Sequence, residues 1–168
     1  MRRMHRRTFL GAALGAGLLT GCGFHLRGEM QMAFRSAYIS GYEHHRIVSD
    51  LRRQLRLNNV EVVDTPQAAD LVISMSEMSP TRDILSLDAS GKAREYRLSY
   101  TLNYSLDKPT GETVRIPARI TARREYTFDT RQLLAKAEEE SILYRDMEDD
   151  LVRQLMRRLS TVTPEELK

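Results

Sequence analysis

From Tyr96 to Leu106 every even position is apolar (Tyr96, Leu98, Tyr100, Leu102, Tyr104, Leu106), while the odd positions are Arg97, Ser99, Thr101, Asn103 and Ser105. A strand points successive side chains to opposite faces, so this period of two predicts a strand with one buried and one wet face. The pattern returns with Val114, Ile116, Ala118, Ile120 and Ala122 inward and Arg115, Arg119 and Arg123 outward. Pro117 has no amide proton for a ladder, so this second strand needs a sheet edge or a bulge. Turn-forming residues bound the two segments: Asp88 to Lys92 with Ser90-Gly91, and Asp107 to Glu112 with Pro109 and Gly111. An antiparallel meander follows. Shorter candidates are Ala37-Tyr38-Ile39, Val60 to Val63 and Leu71 to Met75, with Pro66 separating the last two.

Two segments carry helical spacing instead. Between His44 and Leu57 the apolar positions are Ile47, Val48, Leu51 and Leu55, and Asn58 and Asn59 are suited to end a helix. The second runs from Asp129 to about Thr161, with Asp129 and Gln132 spaced for a capping box. Its apolar stripe is Leu134, Ala137, Tyr144, Met147, Leu151, Leu155, Leu159 and Val162. At 1.5 Å per residue it spans roughly 45 Å, enough to cross a sheet. The economical arrangement is an α/β (α+β) sandwich, with two helices on one face of a mostly antiparallel four-stranded sheet.

The first residues follow another logic. Arg2, Arg3, Arg6 and Arg7 precede an apolar stretch from Phe9 to Leu19 that ends at small residues, the order of a signal peptide. That stretch is about half the ~20 residues a membrane span needs, and Gly11, Gly15 and Gly17 weaken it as a permanent anchor. Leu19-Thr20-Gly21-Cys22 resembles the bacterial lipobox, in which the cut falls just before the cysteine. The Cys22 thiol would take a diacylglycerol and the freed amine a third chain such as palmitate. Several chains, at roughly 0.8 kcal/mol per buried CH₂, tether a protein stably without spanning the bilayer. Gly23 follows, where an Asp would resemble an inner-membrane retention signal, so sorting to the outer membrane is favoured. Arg6-Arg7-Thr8-Phe9-Leu10 suits twin-arginine export as well as an arginine-rich start to a Sec signal, and both routes stay open. The expected organisation is a cleaved signal over 1–21, one domain over 22–163 and a short C-terminal tail over 164–168.

That division changes the charge. A pI of 9.2 suggests a nucleic-acid binder, but four of the 26 Lys and Arg lie in the signal, leaving 22 against 23 acidic residues. The mature chain is nearly neutral, and no nucleic-acid partner is expected. Locally the balance differs: residues 82 to 124 hold nine basic and five acidic side chains. Cys22 is the only cysteine, so no internal disulfide can form. Adjacent His44 and His45 would lie about 100° apart on a helix, a poor metal pair, and are read as surface residues. No Gly-rich phosphate loop or nucleophile elbow appears, so neither catalytic nor metal-binding residues are assigned and no enzyme is expected. The better lead is basic: Arg97, Arg115, Arg119 and Arg123 on the wet sheet face, Lys92 and Arg94 at a hairpin tip, and Lys136 early in the long helix. Such groups grip anionic headgroups, arginine doing so bidentately, or stand merely solvated on a one-sided sheet.

Directly after Cys22, Gly23-Phe24-His25-Leu26-Arg27-Gly28 closely resembles the mature start of the LptE family of lipopolysaccharide-assembly lipoproteins. Gln54-Leu55-Arg56-Leu57-Asn58-Asn59-Val60-Glu61 is similar to that family's first-helix-to-strand junction, and Arg94-Glu95-Tyr96 with the alternation after it to its central strand. With the long final helix, the likeness covers nearly all of residues 22 to 160. It implies a protein of the outer membrane, lipid-anchored, on the periplasmic side and in the lumen of an LptD-like β-barrel. There it would plug the barrel, assist its assembly and take part in lipopolysaccharide transport to the outer leaflet, with no cofactor beyond the covalent lipid on Cys22. Lipopolysaccharide phosphates make Lys92, Arg94 and Lys136 the contact candidates. Lys136 falls where the family carries a basic residue, whereas Ala89 stands where one is expected. A periplasmic lipid-binding accessory lipoprotein of a lipid transporter, needing an apolar cavity, is the alternative, and a lipoprotein hydrolase a distant third.

Overall fold

Seven elements build the chain: β1 (Ser36–Ser40), α1 (Arg46–Leu57), β2 (Glu61–Val62), β3 (Leu71–Leu87), β4 (Ala93–Asp107), β5 (Thr113–Thr127) and α2 (Leu133–Leu159). They are taken from a computed structural model that describes residues 30–168; the signal segment, Cys22 and the Gly23–Gly28 motif lie outside the described residues. The sheet has five strands in the order β2-β1-β3-β4-β5, one more than expected, because Glu61–Val62 adds a two-residue edge beside β1. β1 runs parallel to both β2 and β3, and α1 supplies the crossover that parallel neighbours require. β3, β4 and β5 form the antiparallel meander.

β3 is far longer than its apolar run. Buried residues stop at Met75, yet the strand continues to Leu87 because β4 offers it a ladder partner along the whole length. A bulge between Met75 and Glu77 exchanges its faces: Leu71, Ile73 and Met75 point to the helices before it, whereas Met78 and Arg82 share the face of Leu102 and Leu98 after it. On β5 the irregularity falls beside Pro117, and that strand is the sheet edge, so both devices open to a strand proline are used.

Helix α1 begins at His45, whose Nδ1 accepts from the Ile47 amide at 3.2 Å, and ends in a Schellman motif. Asn59 takes the left-handed conformation at φ 61°, the Val60 amide returns to the Leu55 carbonyl at 3.0 Å, and the Asn59 amide to Arg56 at 3.1 Å. Asp129 accepts from the Arg131 amide at 2.9 Å, but this opens a 3₁₀ turn over Thr130–Gln132. Gln132 makes no side-chain cap bond, so the expected capping box does not form and α2 starts at Leu133.

Both helices pack on one sheet face. Ile47, Leu51 and Leu55 of α1 and Met147, Leu151, Leu155 and Leu159 of α2 meet Ile39, Ile73, Leu98, Leu102 and Leu106 in one buried cluster. Residues 164–168 lie back on this domain: Leu167 packs against the core and Glu166 reaches Arg115. Neither helix is long and apolar enough to cross a membrane.

Candidate functional site

Two surfaces stand outside the core: the helix-free face of the sheet, and the far end where β3, β4 and α2 outrun the aliphatic core. On the helix-free face, register aligns Ser79, Thr81 and Asp83 of β3 with Thr101, Ser99 and Arg97 of β4, and these with Thr121, Arg123 and Glu125 of β5. The sequence predicts this face to be basic, and the structure neutralises most of it. Arg97 meets Glu125 at 2.9 Å, and Arg119 donates to Asn103, which in turn donates to Glu77 at 2.6 Å. Arg123 has no ion-pair partner among the described residues. Short hydroxyls fill the space between: Thr101 and Thr121 lie 3.3 Å apart across the β4–β5 ladder.

Arg115 is not on this face. The irregularity beside Pro117 pairs it with Leu106, on the helix side. There its guanidinium grips Glu166 at 2.8 Å and donates to the Thr161 carbonyl and hydroxyl. Ile116, expected inward, is 81% exposed for the same reason. Strict alternation fails wherever a bulge adds a residue.

At the far end, Lys92 and Arg94 lie at the β3–β4 hairpin. Asp88 Oδ1 accepts from the amides of Ser90 and Lys92, and Gly91 takes φ 80°. The Phe128 amide donates to the Arg94 carbonyl at 2.8 Å, which ties this tip to the segment leading into α2. Asp129 follows, its carboxyl held below the usual range chiefly by Arg131 and in smaller part by Lys136. The fold thus brings Lys92, Arg94 and Lys136 to one end. They are not equivalent: Lys136 is largely covered and paired with Glu139 at 2.7 Å, whereas Arg94 is exposed and without an ion-pair partner among the described residues. Ala89 is exposed in the turn, as its place in the tip requires.

Beneath this end lies a network with no trace in the strand alternation. Arg82 sits 4.8 Å above the centre of the Tyr96 ring and meets Glu140 at 3.0 Å; Tyr126 donates to the same carboxylate at 2.6 Å. Burial, then the bond to Glu140, pushes the Tyr126 hydroxyl above its ordinary range. Tyr96 stacks on Tyr126 and meets Phe128 edge-on. Only the bulged register of β3 delivers Arg82 to the helix side. The only visible signal is the aromatic content of positions 96, 126 and 128.

The histidines divide. His44 is exposed, as expected, but His45 is half-buried: besides capping α1 it lies 3.0 Å from the Tyr100 hydroxyl. Burial, followed by the charge of Glu148, pushes that hydroxyl up to about 12. Among the described residues no cluster of His, Cys, Asp and Glu could hold a metal ion.

The family model for LptE, described as lipopolysaccharide-assembly, matches residues 32–159. An LPS-assembly lipoprotein LptE of Pectobacterium atrosepticum is 33% identical over 165 residues, covering 94% of this chain and 87% of its own. One of Photorhabdus laumondii is 30% identical over 161 residues, with the same shares. Among solved structures, lipoprotein B of Nitrosomonas europaea is similar with a TM-score of 0.72 at 33% identity, over 82% of this chain and 90% of that one.

Proposed function

The chain belongs to the LptE lipopolysaccharide-assembly family, and from that premise we propose that it is a non-enzymatic lipoprotein that plugs an LptD-like β-barrel of the outer membrane. In this reading it assists the barrel's assembly and takes part in lipopolysaccharide transport to the outer leaflet, tethered on the periplasmic side through lipid on Cys22. The observation that carries the plug is the helix-free sheet face. It presents Ser79, Ser99, Thr101, Ser105 and Thr121 with its charges largely matched in place, a neutral hydroxyl surface of the kind a polar barrel lumen accepts. A greasy face would call for an apolar partner, and a strongly charged one would lose solvation in a confined lumen.

Lipopolysaccharide contact is assigned to Lys92, Arg94 and Lys136, with Arg94 the most available and Lys136 obliged to exchange Glu139 for phosphate. The accessory lipid-binding alternative would need a chamber between sheet and helices. That space is filled by Leu98, Leu102, Leu106, Met147, Leu151 and Leu155, all essentially fully buried. The plug is tested by copurification of the lipidated chain with a large outer-membrane β-barrel protein. Wild type is expected to copurify, and Thr101→Arg to lose the partner while keeping its thermal midpoint. A freely monomeric wild-type chain in mild detergent extracts would overturn the reading.

A further inference from the structure

The charges of α2 are polarised along its length. Residues 138–150 carry seven carboxylates against Arg145 alone, whereas residues 151–159 carry Arg153, Arg157 and Arg158 and no acid. The end of α1 repeats the pattern: residues 51–57 hold Arg52, Arg53 and Arg56, again with no acid. These two basic ends meet, because Asn58 at the end of α1 lines one groove of about 390 Å³ with Arg53, Arg153 and Arg157. Arg53 is paired with Asp50 at 2.7 Å and Arg153 with Asp150 at 3.5 Å, but Arg52, Arg56, Arg157 and Arg158 have no ion-pair partner among the described residues. Cations in a last helical turn complement the helix dipole, which accounts for Arg56, Arg157 and Arg158 but not for Arg52, Arg53 and Arg153 before them. Leu57, next to Arg56, is 62% exposed.

The chain enters the domain at the same place. The Met30 amide donates to Asn58 Oδ1 at 2.8 Å, and Met30 lines the groove. Met30 lies eight residues after Cys22, a reach of at most about 28 Å. The 27 residues of α2 place its other end about 40 Å away. A tether on Cys22 therefore keeps the arginine end near the bilayer. We infer that this end is a membrane-docking patch that binds the anionic phospholipid headgroups of the leaflet holding the tether, with Leu57 at the hydrocarbon boundary. The inference rests on the lipid tether proposed above and adds an orientation to it. Phosphates attract the basic ends of both helices and repel the acidic stretch of α2, so the hairpin end is directed away from the leaflet.

The mature chain from residue 22 with Cys22→Ser carries no lipid, so its binding to vesicles reads the patch alone. It is expected to cosediment with vesicles of equal parts phosphatidylglycerol and phosphatidylcholine, to be released as salt rises, and to leave pure phosphatidylcholine vesicles unbound. Adding Arg56→Gln with Arg157→Gln is expected to weaken binding about 25-fold, roughly fivefold for each arginine. Adding Arg131→Gln with Arg145→Gln instead removes the same charge outside the patch and is expected to leave binding unchanged. Equal losses from the two pairs, or equal binding to both kinds of vesicle, would overturn the patch. Absence of all vesicle binding would overturn the docking and leave the tether and the barrel plug standing, since neither depends on these arginines. A wild-type mature chain whose mass shows no acyl chains on Cys22 would overturn the tether and, with it, this orientation.

Discussion

Leu134 and Leu151 lie on one helix and in one sequence stripe, yet Leu134 is 90% exposed and Leu151 fully buried. The difference is made by what lies beneath each. Around Leu151 the sheet supplies Leu98, Leu102 and Leu106, and α1 flanks the helix on its other side. Further back, α2 runs past the start of α1, whose Arg46 meets Glu148 and Asp149, and the sheet offers Arg82 and Tyr126, both bound to Glu140, with the Tyr96 ring beneath Arg82. Helical period tells which side of a helix is apolar; burial needs a second surface of matching chemistry. One half of α2 is therefore scaffold, and the other is surface held in place by a polar and aromatic network.

The sharpest way to break this contrast is to truncate both leucines. Leu151→Ala should cost about 2–5 kcal/mol in urea unfolding, while Leu134→Ala should stay within about 0.5 kcal/mol. Comparable losses would mean that the far end is packed after all. Tyr126→Phe probes the network between the halves; removing a buried hydroxyl that donates to Glu140 should lower stability by about 1–2 kcal/mol and loosen the start of α2 in hydrogen exchange. No change in exchange there would show that Glu140 and Arg82 suffice alone. On the scaffold side, Asn59→Ala at φ 61° should cost about 1 kcal/mol, and Asn59→Gly little, both by thermal melting.

The smallest effect belongs to the Arg115–Glu166 tie. The Arg115 guanidinium, then the Thr163 amide, holds the Glu166 carboxyl at about 2 against an ordinary 4.5. A carboxyl with a lowered folded value stabilises most above its unfolded value, so this contribution is whole above about pH 4.5 and fades as pH falls towards 2. Arg115→Gln should flatten that part of an acid titration of stability. An unchanged acid limb would remove the tie from the account.

Much of the fold was legible because local chemistry and tertiary demand agree. The alternation from Tyr96 to Leu106, the apolar positions of α1 with Asn58-Asn59 at its end, and both glycine turns recur in the structure. The failures have local causes. Beyond Met75, β3 carries no apolar alternation, since its partner strand rather than its own pattern holds it extended. The expected basic face became nearly neutral because its acids come from strands distant in sequence, Glu77 on β3 and Glu125 on β5.

By itself, then, the sequence determined which residues avoid water, where the chain turns and which family it resembles, because those depend on neighbours a few positions apart. The structure alone decided which apolar residues find cover, which arginines find a carboxylate, and that Lys92, Arg94 and Lys136 share an end with unburied leucines. Those outcomes depend on registers and bulges that bring distant segments together, and one added residue in a strand reverses every side chain beyond it.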